Sequence, residues 1–246
     1  MSVTLIIPAR LASTRLPRKV LLDLGGKPVV QHVWERARRA KCAGDVVLLT
    51  DSDEVATVAR GFGAKVVMTS PDCPSGTARL ASVLGQLPGD FFINVQGDEP
   101  FIDPALIDAL AARHAATRCS LVTAVSRITA PARLLADSVV KVVRVENGEA
   151  LYFSRSPVPH LRGVPPADWP ARRAYWAHIG IYGYDRAALE AYPKLPATEL
   201  EACESLEQLR FVAHGFRFQT VETDHAVVAI DTPADLEAAR SLIARP

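Results

Sequence analysis

Residues Val3–Ile7 (VTLII) form a short apolar run, rich in β-branched side chains, that stops at Pro8. A run that is apolar at successive positions, rather than at alternate ones, is the pattern of a strand buried on both faces in a parallel sheet. Beyond it the period switches. From Pro28 the apolar residues Val29, Val30, Val33 and Ala37 recur at helical spacing, with the proline in the first turn. Asp45–Thr50 (DVVLLT) reads as strand again, Ser52 caps a helix to about Phe62, and Lys65–Met68 is a third strand. A polar loop and a helix over Gly76–Leu87 lead to a fourth strand, Phe91–Val95. Asp103-Pro104 then starts a helix with Leu106, Ile107, Leu110 and His114 on one side. Strands and helices alternating over short links predict an α/β fold on a Rossmann-like, doubly wound, mostly parallel sheet.

The middle of the chain follows another pattern. Leu121–Ser126, Val139–Val145 and Leu151–Phe153 read as strands without long helices between them, and Glu146-Asn147-Gly148 as a hairpin turn. The proline-rich stretch His160–Pro170 reads as one long loop, a candidate lid. His178–Tyr184 (HIGIYGY) is a strand and Ser205–His214 a helix; Val227–Ile230 is a last strand. The final helix has Thr232 as N-cap, Pro233 at its first position and Asp235 completing a capping box. The expectation is a single domain over residues 1–246, with an antiparallel extension inserted at about 127–200.

Composition narrows the function classes. Of 246 residues 49% are apolar and 22% charged, which excludes collagen-like and disordered chains. Lys+Arg (28) almost balances Asp+Glu (27), unlike a general nucleic-acid binder. No apolar run approaches the length of a membrane span, and Arg10 and Arg15 fall where a signal peptide needs an apolar core. Cys42, Cys73, Cys119 and Cys203 are scattered and form no CxxC pair, so the expectation is a soluble, cytoplasmic protein with reduced thiols.

Open parallel sheets bind ligands at the carboxyl ends of their strands, so the strand ends are where chemistry is expected. After the first strand, Pro8–Lys19 (PARLASTRLPRK) contains no glycine and matches neither a dinucleotide fingerprint nor a Walker loop. It does place Arg10, Arg15 and Lys19 where they can converge on a polyphosphate, and no acidic residue precedes Asp23. The plainer account is a solvated basic loop. After the fourth strand, Gly97 permits close backbone approach and Asp98 offers a carboxylate suited to Mg²⁺. Helix capping is the competing account of Asp98 or Glu99, but Asp103 already fills that role. Asp231 repeats the pattern before the last helix, where the helix dipole alone also explains an acid. Ser75, Gly76 and Thr77 open a helix with hydroxyls and free N–H groups suited to a base or ribose edge, or simply to capping.

Seven strings, in order and across nearly the full chain, carry a resemblance: IPARLASTRLPRK, VQGDEP, SGTAR, ALYFSR, HIGIYGY, ESLEQLR and AIDTPADLE. Together they resemble the 3-deoxy-manno-octulosonate (Kdo) cytidylyltransferases, the CMP-Kdo synthetases of Gram-negative lipopolysaccharide synthesis. The resemblance implies the nucleotide-diphospho-sugar transferase type of α/β fold. It further implies CTP and Kdo as substrates, CMP-Kdo and pyrophosphate as products, Mg²⁺ as cofactor and a cytoplasmic homodimer. Position by position, it implies that Pro8, Ala9 and Arg10 meet the nucleotide, that Arg15 and Lys19 engage its phosphates, and that Ser75, Gly76, Thr77 and Arg79 line the cytidine side. Asp98 and Asp231 would hold Mg²⁺. Gln96, Arg155, His178, Tyr182 and Glu207 would meet the sugar, with Arg155 facing its carboxylate. For His178, Tyr182 and Glu207 the plainer accounts are a strand histidine, core filler and a solvated helix face.

Three positions depart from the family pattern. Arg18 stands where glycine is usual, Val20 where proline is usual and Ala78 where an acid is usual. Three alternatives stay open at this point: a transferase for another acidic sugar, such as a sialic acid or 8-amino-Kdo; a dinucleotide-dependent oxidoreductase; and a non-catalytic nucleotide sensor. Absence of GxGxxG after the first strand weighs against the second, and the two strand-end aspartates weigh against the third.

Overall fold

The computed structural model describes residues 2–13, 15–224 and 228–243. They fall into two compact units, one drawn from residues 1–111 and 226–246, the other from 112–225.

The first unit is built on β1 (Val3–Pro8), which has neighbours on both sides. A hairpin of two-residue strands, β2 (Asp23–Leu24) and β3 (Lys27–Pro28), leads into α1 (Val29–Ala37), for which Pro28 is the N-cap rather than a first-turn residue. Then come β4 (Ala43–Thr50), α2 (Asp53–Gly61), β5 (Lys65–Met68), α3 (Gly76–Ser82) and β6 (Phe91–Asn94). The strands lie in the order β5-β4-β1-β6, all parallel, with Ile7 beside Leu48 and Ile6 beside Asn94. Leu5, Ile6 and Ile7 are fully buried. At about 1.5–3 kcal/mol for each side chain removed from water, this strand is what the helices pack to cover. Ser52 and Ser75 cap α2 and α3 through hydrogen bonds accepted from Val55 N and Ala78 N. The helix predicted over Gly76–Leu87 breaks after Ser82 and resumes as a single 3₁₀ turn, Leu84–Gln86. α4 (Pro104–Thr117) starts at Asp103, whose carboxylate accepts from Ala105 N, and it buries Leu106, Ile107, Leu110 and His114 as expected.

The second unit holds β7 (Leu121–Ile128), α5 (Pro131–Leu135), β8 (Lys141–Arg144), β9 (Glu149–Ser154), α6 (Trp169–Arg172), β10 (Tyr175–Asp185), α7 (Arg186–Ala191), α8 (Glu199–Glu204), α9 (Gln208–Ala213) and β11 (Phe218–Glu222). Its strand order β10-β7-β11-β9-β8 closes on itself, because β8 also pairs with β10. The pairing is mixed: β11 runs parallel to β7 and the other pairs are antiparallel. Phe153, Tyr184, Phe211 and Phe218 are fully buried and meet through edge and tilted ring contacts.

Several expectations need correcting. Among the described residues, four pairings within the units are parallel and four antiparallel, the small β2–β3 hairpin aside, so the fold is α/β but not mostly parallel. Strand β11 and helix α8 were not predicted. Ser205, in the left-handed region at φ 51°, ends α8, so the helix expected over Ser205–His214 is shortened to α9. The stretch His160–Pro170 is not one loop. It holds a 3₁₀ turn at Pro166–Asp168 and the start of α6, and Trp169 is buried there, stacked on Tyr175 with its indole N–H on Val164 O. Of the predicted strand Val227–Ile230, Val227 lies outside the described residues and 228–230 are not in a strand. The last helix, Pro233–Ile243, does carry the capping box: Thr232 N–H donates to Asp235 and Asp235 N–H to Thr232 Oγ1. Among the described residues no helix is long and apolar enough to cross a membrane.

Candidate functional site

The carboxyl ends of β1 and β6 bound a cleft of about 190 Å³ in the first unit. Pro8, Arg10, Lys19, Ser75, Gly76, Arg79, Gln96 and Asp98 line it, with Cys73, Pro74, Val20 and Gly97. Glycine at 97 is a steric requirement: a Cβ there would lie 2.5 Å from Pro8 O, so only a bare backbone lets the two strand ends come this close. Gly76 is tight too, 3.1 Å from Asn94 Nδ2 by the same measure. Ala9 is buried, its N–H on Leu49 O, and fixes the start of the basic loop rather than lining the cleft.

Asp231 reaches the cleft's acidic end by a backbone contact. Ile230 N–H donates to Asp98 O at 2.9 Å, which sets the two aspartates side by side without the predicted strand. Lys19 Nζ donates to Asp98 Oδ2 and, at 2.9 Å, to Asp231 Oδ1; Arg15 lies 3.0 Å from the other Asp231 oxygen. Burial works to lower the Lys19 pKa, but the two carboxylates outweigh it and hold the ammonium above the ordinary lysine range. Glu99 is a feature sequence reading treated only as a possible cap. It is buried, and burial, then Asp98 and Asp231 beside it, push its carboxyl up to about 8.

The opposite wall carries Arg79, buried and committed to Asp51 at 2.9 Å and to the Thr69 hydroxyl. Its guanidinium therefore serves the shape of the wall. Thr77 is fully buried as well. Asp51 was missed, although it follows the end of β4 just as Asp98 follows β6. Arg10 also borders a second, wider cleft with Leu11, Pro17, Arg18 and Ser52.

Arg18 accounts for one departure from the family pattern. Its backbone is left-handed (φ 59°, ψ 22°), where glycine is at ease, and its side chain pairs with Glu54 of α2. Left-handed backbone costs a non-glycine residue roughly 1–2 kcal/mol, and an exposed ion pair returns about 0–1. Arg18→Gly is therefore expected to hold or raise the melting temperature, by up to about 4 °C, in a thermal scan; a drop of several degrees would contradict this. Val20 is buried, and Ala78 presents only its N–H to Ser75 Oγ; nothing in the structure explains either departure.

The candidate sugar residues of the second unit divide. His178 and Tyr182 are neighbours, ring centroids 5.1 Å apart, and Tyr182 O–H donates to Gln208 Oε1 at 3.4 Å. Glu207 stands at the start of α9. Arg155 is already engaged: its guanidinium donates to the carbonyls of Glu204 (2.7 Å) and Asp137 (3.1 Å), and Glu204 accepts from Arg155 N. Burial pushes His178 down to about 3. Thr123 Oγ1 lies 2.9 Å from His178 Nε2 and 2.8 Å from Ile181 O. A folded-state pKa below the unfolded value means the unfolded chain binds more protons in acid. This contribution is complete above pH 6.5 and fades as pH falls from 6.5 towards 3. Denaturant titrations are expected to show His178→Gln losing about 2 kcal/mol less than the natural protein between pH 7.5 and pH 5. Equal losses would contradict the buried neutral ring.

Comparison with known proteins identifies the group to which this architecture belongs. Residues 4–221 match the family model described as cytidylyltransferase. The chain belongs to the cytidylyltransferase family. It is 46% identical, over 96% of its length and 97% of the relative's, to the 3-deoxy-manno-octulosonate cytidylyltransferase of Geobacter sulfurreducens, and 43% identical to that of Myxococcus xanthus, over 97% and 95%. Among solved structures it resembles a CMP:2-keto-3-deoxy-manno-octonic acid synthetase complexed with CTP, with TM-score 0.94, 40% identity, and 100% and 99% of the two chains covered. A glucose-1-phosphate thymidylyltransferase of Bacillus anthracis shares the fold at 17% identity, with TM-score 0.69 over 100% and 96% of the two chains.

Proposed function

We propose that this chain transfers the cytidylyl group of CTP to Kdo, forming CMP-Kdo and pyrophosphate, and so activates Kdo for lipopolysaccharide synthesis. The observation that carries the reading is the cleft at the carboxyl ends of β1 and β6, with a basic loop on one side and two aspartates drawn to one point at its end. The relatives named as transferases for this sugar, and the CTP-bound neighbour, support it. The core is read as a doubly wound, Rossmann-like unit of the nucleotide-diphospho-sugar transferase type, in a cytoplasmic homodimer.

The anomeric hydroxyl of Kdo attacks the α-phosphorus. A new P–O bond forms, the bond to the β-phosphate oxygen breaks, pyrophosphate leaves on the opposite side, and the hydroxyl proton passes to water. Little covalent chemistry falls to the protein, so its work is positioning and charge stabilisation. Arg10, Arg15 and Lys19 neutralise the triphosphate and the departing pyrophosphate. Ser75 and Gly76, with Pro8, face the cytidine; Thr77 is buried behind them, and Arg79 holds that wall through Asp51. Gln96, Arg155, His178, Tyr182 and Glu207 are the residues assigned to the sugar.

A divalent cation fits the acidic end. Oxygens of Asp98 and Asp231 converge on one ammonium, and two hard carboxylates are a donor set suited to Mg²⁺ alongside phosphate oxygens and water. When bound there, Mg²⁺ supplies further neutralisation of phosphate charge. Pyrophosphate release with CTP, measured with Kdo, 8-amino-Kdo and a sialic acid, tests the sugar assignment. Turnover is expected with Kdo; turnover with another sugar alone would overturn it.

A further inference from the structure

The two carboxylates assigned to the cation already have cationic partners from the chain itself. Lys19 Nζ bridges Asp98 and Asp231, and Arg15 meets the remaining Asp231 oxygen. The Lys19 and Asp98 side chains are only 13% and 20% exposed, so salt screens this contact weakly. Two further acids lie close by: Glu99, buried behind the pair, and Asp235, which accepts from Asp231 N–H at 3.1 Å. Lys19 also lines the cleft where Arg10 stands, so the same ammonium faces both the acidic end and the proposed phosphate path. A lysine is a compact charge on a flexible four-carbon stem and can exchange one anionic partner for another without moving the backbone.

We infer that Lys19 is an internal counter-ion that competes with the divalent cation for Asp98 and Asp231, so that tight cation binding requires a nucleoside triphosphate to draw the ammonium away. The inference rests on the cation reading above. Before nucleotide arrives, a cation must displace an ion pair, and its apparent affinity falls by the fraction of molecules in which the pair is open. Because coupling is reciprocal, nucleotide raises cation affinity by the same factor by which cation raises nucleotide affinity. The device keeps the carboxylates from filling with a cation that has no phosphate to act on.

The test is titration of Mn²⁺, followed by its electron paramagnetic resonance, into the nucleotide-free protein. Lys19→Met is expected to bind Mn²⁺ at least about tenfold more tightly than the natural chain, the scale of an ordinary allosteric coupling. Lys19→Arg, which keeps the charge, is expected to bind as weakly as the natural chain. Lys19→Gln serves in place of Lys19→Met if the latter does not fold. Adding Asp98→Asn to the Lys19→Met background is expected to remove the gained site. Equal Mn²⁺ affinity in Lys19→Met and the natural chain would overturn the counter-ion role and leave the transferase reading standing. A gained site that survives Asp98→Asn would overturn the assignment of the cation to these carboxylates.

Discussion

Asp98→Asn is expected to lower kcat for cytidylyl transfer by about 10²–10³, the usual effect of deleting one preorganised charge-stabilising group, while leaving the fold intact. Asparagine keeps the volume and one oxygen, and the backbone contact from Ile230 N–H to Asp98 O does not involve the side chain. What is lost is one of the two carboxylates that converge on the Lys19 ammonium. Asp231→Asn is expected to act in the same direction. The double variant is expected to be little worse than either single one, because groups that work as a unit are not additive. Steady-state kinetics at saturating CTP, Kdo and Mg²⁺, with a thermal scan of each variant, checks this. Near-natural kcat for Asp98→Asn would remove that aspartate from the chemistry.

Lys141→Met is expected to destabilise the fold by about 3 kcal/mol or more, through the loss of a buried charged donor. Lys141 is fully buried on β8, and its ammonium donates to the carbonyls of Ala136 (2.9 Å), Val139 (2.6 Å) and Arg155. Burial lowers its pKa, opposed by Asp137 and Glu204. Methionine matches the stem in length but offers no donor. The substitution therefore leaves three carbonyls without a charge-assisted partner, at about 1–3 kcal/mol for each one that stays dry. Those bonds tie the residues before β8 to Arg155, whose side chain in turn grips Asp137 and Glu204. A weaker grip on Arg155 should raise the KM for the sugar more than it lowers kcat. Urea titration and sugar-dependence curves measure both effects; a loss below about 1 kcal/mol would show that water reaches these carbonyls.

The elements legible in the sequence were those whose period was written in apolar residues. β1, β4, β5 and β6 are short runs bounded by turn residues, and α4 announced itself by Asp103-Pro104 and a buried stripe. β11 was harder, because Phe218-Gln219-Thr220-Val221-Glu222 lies directly behind a helix and alternates only weakly. The break at Ser205 follows from a left-handed backbone at a residue type that rarely signals one. Strand-end logic located Asp98 and Asp231, yet the contact that joins them is a single hydrogen bond between residues 132 positions apart, which no local pattern encodes. The same logic applied to Thr50 would have found Asp51. Burial of Arg79, Glu99 and Lys141 could not be read at all, since a charged letter looks the same in water and in a core.

Cytidylyl transfer to Kdo is tested most directly by ³¹P nuclear magnetic resonance of a reaction containing the protein, CTP, Kdo and Mg²⁺. The expected result is loss of the CTP resonances with equal growth of a phosphodiester signal from CMP-Kdo and of pyrophosphate, and little change when Kdo is left out. Conversion of CTP to CMP or CDP with inorganic phosphate, or turnover that does not depend on the sugar, would contradict it.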